Sequence, residues 1–146
     1  MGSLVQTIQD AEKRRAVVDD CVRLIEAEVS SKRGISGMGI KAAFKAVRGL
    51  RPGMIPMAMN HLLDEFAAKL DPFWSECQAS GKNPRTFFVE RKGDVAEALL
   101  SITDARRDKA DNRVMVRAYN GLRPKAVSYI GDAMPRVAEL FVKHVT

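Results

Sequence analysis

Apolar residues recur every three or four positions along most of the chain, which is the spacing that one face of an α-helix requires. The strict alternation of apolar and polar residues that is typical of a half-buried strand is almost absent. Prolines and glycines interrupt the pattern at intervals of helix length. The sequence therefore predicts an all-α fold over residues 1–146, a single-domain bundle of about six to nine helices, several of them short.

The first helix has a recognisable start. Ser3 and Gln6 form the Ser-x-x-Gln pattern of a capping box, which predicts that a helix begins directly after Ser3. Apolar residues then follow one helical face to Val29, and Arg15 interrupts them. The segment to Val29 is therefore either one long helix or two helices joined near Lys13–Arg15.

Prolines and glycines predict the later helix boundaries, because proline removes a backbone donor and favours the first turn of a helix. We expect a second helix over about 35–50, stopped by Pro52 and Gly53, and a third from Pro56 to about Leu70. Further helix starts are predicted at Asp71–Pro72, Pro84, Asp94, Pro124 and Pro135, with a stop at Gly93 and a break near Asp104.

The tetrapeptide Gly-Leu-Arg-Pro occurs twice, at residues 49–52 and 121–124, each time after a cationic, alanine-containing run. Each copy predicts a helix that ends near the glycine and another that begins near the proline. One interpretation is a common helix stop that arose twice. The other is duplication of a helical hairpin, which would give pseudo-symmetric halves over about 30–75 and 100–146. The sequence leaves both open.

Four stretches resemble a family of small bacterial all-helical proteins of unknown function. They are EVSSKRGISG at 28–37, LDPFW at 70–74, EALLSITDARR at 97–107 and LRPKA at 122–126. The resemblance implies an all-α fold and a bacterial origin. It brings no catalytic or binding residues with it, so the function has to be argued from the residues themselves.

Composition is that of an ordinary globular domain, with 46% hydrophobic and 29% charged residues. Cys21 and Cys77 are too few for a disulfide framework and do not have the spacing of metal ligands, which favours a cytoplasmic location. No run approaches the roughly 18 consecutive apolar residues of a membrane span, and the first residues lack the pattern of a signal peptide.

Patterns that carry catalysis are missing from the sequence. His61 and His144 are isolated histidines in predicted helices, and Cys21 has no cationic neighbour one helical turn away to lower its pKa. The glycine-rich Gly34–Gly39 precedes a helix, but no strand leads into it and no Gly-Lys-Ser/Thr follows, as a phosphate loop requires. We therefore expect a protein that is not an enzyme and that uses no cofactor or metal.

The clearest chemical feature is a cationic stretch. Residues 30–62 contain six Lys or Arg residues and no acidic residue, a balance equal to the net charge of +6 of the whole chain. Some of these cations share one helical face, and a second row, diluted by Asp108 and Asp111, follows later in the chain. The candidate anion-binding residues are Lys41, Lys45, Arg48, Arg113 and Arg117.

Two functions remain after these exclusions. The first is a non-catalytic binding or scaffolding module that forms a homo-oligomer or binds a protein partner. The alternative is a weak, sequence-independent binder of nucleic acid or of an anionic surface, which would neutralise phosphates with the cationic rows. Ordinary solvation of amphipathic helices accounts for the same cations, and the aromatic residues are not interleaved with them as a base-stacking surface requires.

Overall fold

The computed structural model describes residues 2–49 and 53–145, and within these ranges it contains eight α-helices and no strand. The predicted all-α class and number of helices are confirmed. In chain order the helices are α1 (Leu4–Thr7), α2 (Ala11–Ser31), α3 (Gly34–Arg48), α4 (Met54–Ser80), α5 (Pro84–Glu90), α6 (Lys92–Lys109), α7 (Arg113–Asp132) and α8 (Met134–Val145).

The N-terminal segment forms two helices rather than one. The Ser3 hydroxyl accepts a hydrogen bond from the backbone N–H of Gln6 at 3.1 Å, which confirms the predicted start of α1. Asp10 caps α2 in the same way and accepts from the backbone N–H of Lys13 at 2.9 Å. The junction therefore lies at residues 8–10, one helical turn earlier than Lys13–Arg15, because Asp10 supplies the cap that starts the second helix.

Helix α4 runs without interruption through Pro72, so the predicted helix start at Asp71–Pro72 is wrong. Leu70 and Trp74, on either side of the proline, are both buried in the common core. Their burial outweighs the loss of one backbone hydrogen bond at Pro72. The helix ends instead at Gly81, whose φ of 71° is the left-handed conformation that favours glycine at helix ends.

Asp71 does cap a helix, but not its own. Its carboxylate accepts hydrogen bonds from the backbone N–H groups of Leu4 at 2.7 Å and Val5 at 3.0 Å. These are among the first N–H groups of α1, which have no partner inside that helix. A residue far away in the sequence thus anchors the four-residue helix α1 to α4.

The second Gly-Leu-Arg-Pro lies inside α7, so the predicted helix stop at Gly121 and start at Pro124 are wrong. Leu122 and Ala126, which lie two residues before and after the proline, both face the other helices. Their packing favours a helix that continues through Pro124. In the first copy, α3 ends at Arg48 and residues 50–52 lie outside the described ranges. The duplication hypothesis stays a prediction.

The start and end of α6 also differ from the sequence prediction. The helix begins before Gly93 and continues past Asp104, and the break comes at residues 110–112 instead. Asp94 accepts a hydrogen bond from Arg91 Nε at 3.0 Å rather than capping the helix. Asn112 caps α7 through the backbone N–H of Val114 at 3.0 Å.

An aromatic cluster forms the centre of the core. The ring of Phe141 on α8 stacks on Trp74 with centroids 4.9 Å apart and on Phe88 at 5.5 Å, and Phe87 meets Phe88 edge to face at 5.9 Å. Helices α1, α2, α4, α5, α6 and α8 all contribute residues to the buried cluster around these rings. Among the described helices, none is both long enough and apolar enough to cross a bilayer.

Candidate functional site

A cavity of about 370 Å³ lies among α2, α3, α4, α6, α7 and α8, and α7 packs on both α3 and α6 beside it. Its walls are apolar almost throughout, and most of its lining side chains are only half-buried although they face other helices. We call this cavity the apolar pocket. Its walls include Leu24 of α2, Phe66 of α4, Leu99 of α6, Leu122 and Ala126 of α7, and Val137 of α8.

A smaller cavity of about 130 Å³ adjoins the apolar pocket on the side of α1. Leu24, Met59 and Phe66 line both cavities, so the apolar space continues towards Leu4. Its lining is also apolar, and it includes the Cys21 side chain. Burial, followed by the neighbouring charge of Asp20, raises the pKa of the Cys21 thiol to about 12, so this cysteine acts as a small apolar wall residue.

Four side chains from α6 and α7 form a closed polar group at one wall. The hydroxyls of Thr103 and Tyr119 lie 2.7 Å apart, and Tyr119 donates to a carboxylate oxygen of Asp104. Arg123 donates to the same carboxylate through Nε at 2.9 Å and through Nη2 at 3.1 Å. The hydrogen bond from Arg123, and then that from Tyr119, hold the pKa of Asp104 below its ordinary value.

The hydrogen bonds of this polar group join its own members. The pKa of the Tyr119 phenol is raised, first by burial and then by its hydrogen bond to Asp104. The pKa of Arg123 is raised as well, chiefly by the bond to Asp104. The charge of Arg123 is therefore balanced by Asp104 within the wall. A molecule in the pocket would contact this wall mainly through van der Waals interactions.

A second ionic group is centred on Glu28, which also lines the apolar pocket. Glu28 accepts from Lys32 at 3.3 Å and from Arg136 at 2.7 Å. Lys32 also donates to Asp132 at 3.1 Å, and its ammonium lies 5.4 Å from the centre of the Tyr129 ring. Lys32 and Arg136 are thus balanced by carboxylates, as Arg123 is by Asp104.

The five candidate anion-binding residues all have exposed side chains, and none makes an ion pair within the part of the chain that the structure describes. Arg113 and Arg117 of α7 line one cleft together. Arg117 also faces α3 across a groove whose α3 wall includes Gly39 and Ala43. The helix repeat of about 100° per residue places Lys41 and Lys45 on the opposite side of α3 from that wall.

The two cationic rows are therefore on neighbouring helices but on different faces. Helix α3 packs directly on α7, yet only the α7 row borders the groove between them. The guanidinium of Arg48 lies over its own neighbour, 5.7 Å from the centre of the Phe44 ring. Lys125, which was not among the predicted anion-binding residues, also lines the groove. The sequence did contain a signal for Lys125, since residues 112–131 include several cations and no acidic residue.

The two histidines have different surroundings. His61 is exposed, whereas His144 Nε2 lies 2.7 Å from Asp20 Oδ2. The Lys143 ammonium lies 2.8 Å from the same oxygen, and this contact, followed by that of His144, lowers the pKa of Asp20. His144 is thus held by an ion-pair group that joins α2 to α8.

Residues 4–145, almost the whole chain, match one family model, whose description is a family of unknown function (DUF6918). The chain belongs to DUF6918. The resemblance to a family of unknown function is thereby confirmed, while a bacterial origin and a cytoplasmic location stay predictions. Neither the curated proteins nor the solved structures include a significant match to this DUF6918 chain.

Proposed function

We propose that the chain is a non-catalytic binding module whose ligand is an apolar small molecule held in the apolar pocket. The observation that supports the proposal is a cavity of about 370 Å³ with almost no polar wall. This size is within the range of about 300–1,000 Å³ that small-molecule sites have. The proposal makes the binding module predicted from the sequence more specific.

Energetics favour an occupant in this space. Half-buried leucine, phenylalanine, isoleucine and valine side chains from α2, α4, α6, α7 and α8 border the pocket. Covering apolar surface stabilises a complex by about 25 cal/mol for each Å² removed from water. Both polar groups at the walls are satisfied by their own hydrogen bonds, so an apolar ligand leaves no described donor or acceptor there unpaired.

Titration with the neutral dye Nile red tests this proposal. We expect saturable binding, at least about tenfold weaker in Ala126→Phe, because the new ring occupies the pocket. Ala105→Phe is the matched control, since Ala105 is exposed on α6, and its affinity should equal that of the parent chain. Circular dichroism would confirm that both variants are folded.

Two outcomes would reject the small-molecule site. One is unchanged Nile red binding in Ala126→Phe. The other is a sedimentation mass that rises with protein concentration while no dye binds, which would assign the same apolar face to a second copy of the chain and support the scaffolding form of the module.

A second candidate function, the binding of nucleic acid, is supported by the exposed cations that have no ion-pair partner within the described ranges. We expect a mixed-sequence DNA duplex to bind weakly at 50 mM salt and to lose affinity steeply by 200 mM, in the way that phosphate contacts require. The double variant Lys41→Glu/Lys45→Glu should weaken this binding strongly, because it reverses two charges of the α3 row. No binding at low salt, or binding that the variant leaves intact, would remove this function.

A further inference from the structure

The groove between α3 and α7 has space for a ligand. Its volume is about 320 Å³, and residues with small side chains form much of its floor. A Cβ atom added at Gly39 or at Gly121 would contact no neighbouring group of the described residues within 4 Å, so the space above both glycines is open. We call this space the cationic groove, because Arg117 and Lys125 of α7 stand at its edge.

The cationic groove adjoins the apolar pocket. Ile40 of α3 and Leu122 and Tyr129 of α7 line both spaces. These three side chains stand at the boundary of the two spaces, so a molecule that passes between them from the pocket would enter the groove. The path leads from an apolar interior to a surface bordered by charge.

The charges that border the groove are available to a ligand. Arg117 and Lys125 are exposed and make no ion pair or side-chain hydrogen bond within residues 2–49 and 53–145. Among the described residues that line the groove, none is acidic. In contrast, Arg123 at the pocket wall is bound to Asp104, and Lys32 and Arg136 are bound to Glu28, another residue of that wall. An anion near the pocket thus finds uncompensated positive charge on the groove side.

We propose that the ligand of the apolar pocket is an anionic amphiphile, with its apolar chain in the pocket and its carboxylate or phosphate head between Arg117 and Lys125. This inference rests on the proposed function and adds the chemical class of the ligand. Guanidinium and ammonium groups form charge-assisted hydrogen bonds with both kinds of head. The head stays hydrated in the open groove, so no charge is buried without a partner.

Calorimetric titration of the full chain with four twelve-carbon ligands tests the inference. Each charged ligand is kept below its micelle concentration, and dodecanol is kept below its solubility limit. The ligands are dodecanoate, dodecyl phosphate, dodecanol and dodecyltrimethylammonium. We expect the two anions to bind about tenfold more tightly than dodecanol, and the cation to bind more weakly than dodecanol. Arg117→Gln/Lys125→Gln should remove the preference for anions and leave the affinity for dodecanol unchanged.

The matched control is Lys69→Gln/Arg85→Gln, which removes the same charge from exposed positions on α4 and α5. It should keep the full preference for anions. An equal loss in this control, or anions that bind no better than dodecanol, would overturn the head site while leaving the pocket intact. Failure of dodecanol as well as the anions to bind would overturn the pocket too. Binding to phosphatidylglycerol vesicles without binding of monomeric dodecanoate would also overturn the inference, in favour of a membrane surface.

Discussion

Replacing Phe141 with alanine is expected to lower the free energy of unfolding by about 3–5 kcal/mol. The side chain is buried completely, and its ring stacks on both Trp74 and Phe88. Truncation removes these contacts and leaves a cavity where α8 meets α4 and α5. Lys143 of α8 also forms an ion pair with Asp20 of α2, but such a partly exposed pair contributes much less to stability than the aromatic core.

Urea unfolding followed by circular dichroism measures this effect. Val89→Ala is the control, because Val89 is 39% exposed beside the buried Phe88, and its effect should stay within about 0.5 kcal/mol. Phe141→Leu should fall between the two and remains measurable if the alanine variant does not fold. A Phe141→Ala variant as stable as Val89→Ala would show that the aromatic stack is not the centre of the core.

Alanine substitution at two glycines of α3 is expected to have opposite effects. A Cβ atom at Gly37 would lie 2.7 Å from the carbonyl carbon of Lys32 and 2.8 Å from its oxygen, and this backbone is not free to move aside. Gly37→Ala should therefore destabilise the fold by about 1–3 kcal/mol. At Gly39 the added methyl meets nothing within 4 Å, so Gly39→Ala should stabilise the fold by up to about 1 kcal/mol through helix propensity.

Both variants gain the same methyl group in the same helix, so each is the control for the other. The midpoint of urea unfolding should fall for Gly37→Ala and rise for Gly39→Ala. Two shifts of the same sign would contradict the close approach of α3 to the end of α2. Helix propensity alone favours alanine over glycine at both positions, because it takes no account of which glycine touches another backbone.

Helix starts that depend on local chemistry were predicted well. Ser3 caps α1, and Asn83 caps α5 directly before Pro84. Pro56 and Pro135 lie in the first turns of α4 and α8, as the missing N–H of proline favours. In each case the deciding atoms lie within about four residues of one another, so the sequence contains the whole interaction.

The predicted boundaries that failed have a different cause. Asp71–Pro72 and Gly121–Pro124 have the residues of helix ends, yet both lie inside long helices. Apolar neighbours on each side of the prolines pack against other helices and keep the two helices continuous, and this packing depends on partners elsewhere in the chain. Asp71 shows this most directly, because its carboxylate caps α1 rather than the helix that it was expected to start.

The candidate site followed the same division. The cationic rows were visible as charge spacing, including Arg117, which borders the groove. The apolar pocket was not visible, because its wall residues have the same helical spacing as residues of an ordinary core. Whether Leu122 fills the core or borders a cavity depends on how closely α3, α6 and α7 approach one another.

The sequence by itself determined the all-α class, most helix starts, the family and the excess of positive charge, because periodicity, capping and composition depend on residues close together in the chain. The tertiary structure alone decided which prolines interrupt a helix, which cations form ion pairs with carboxylates, and where the bundle leaves apolar space. These outcomes depend on side chains that meet only after distant helices have packed, and packing overrides local preference whenever burial contributes more free energy than a single backbone hydrogen bond.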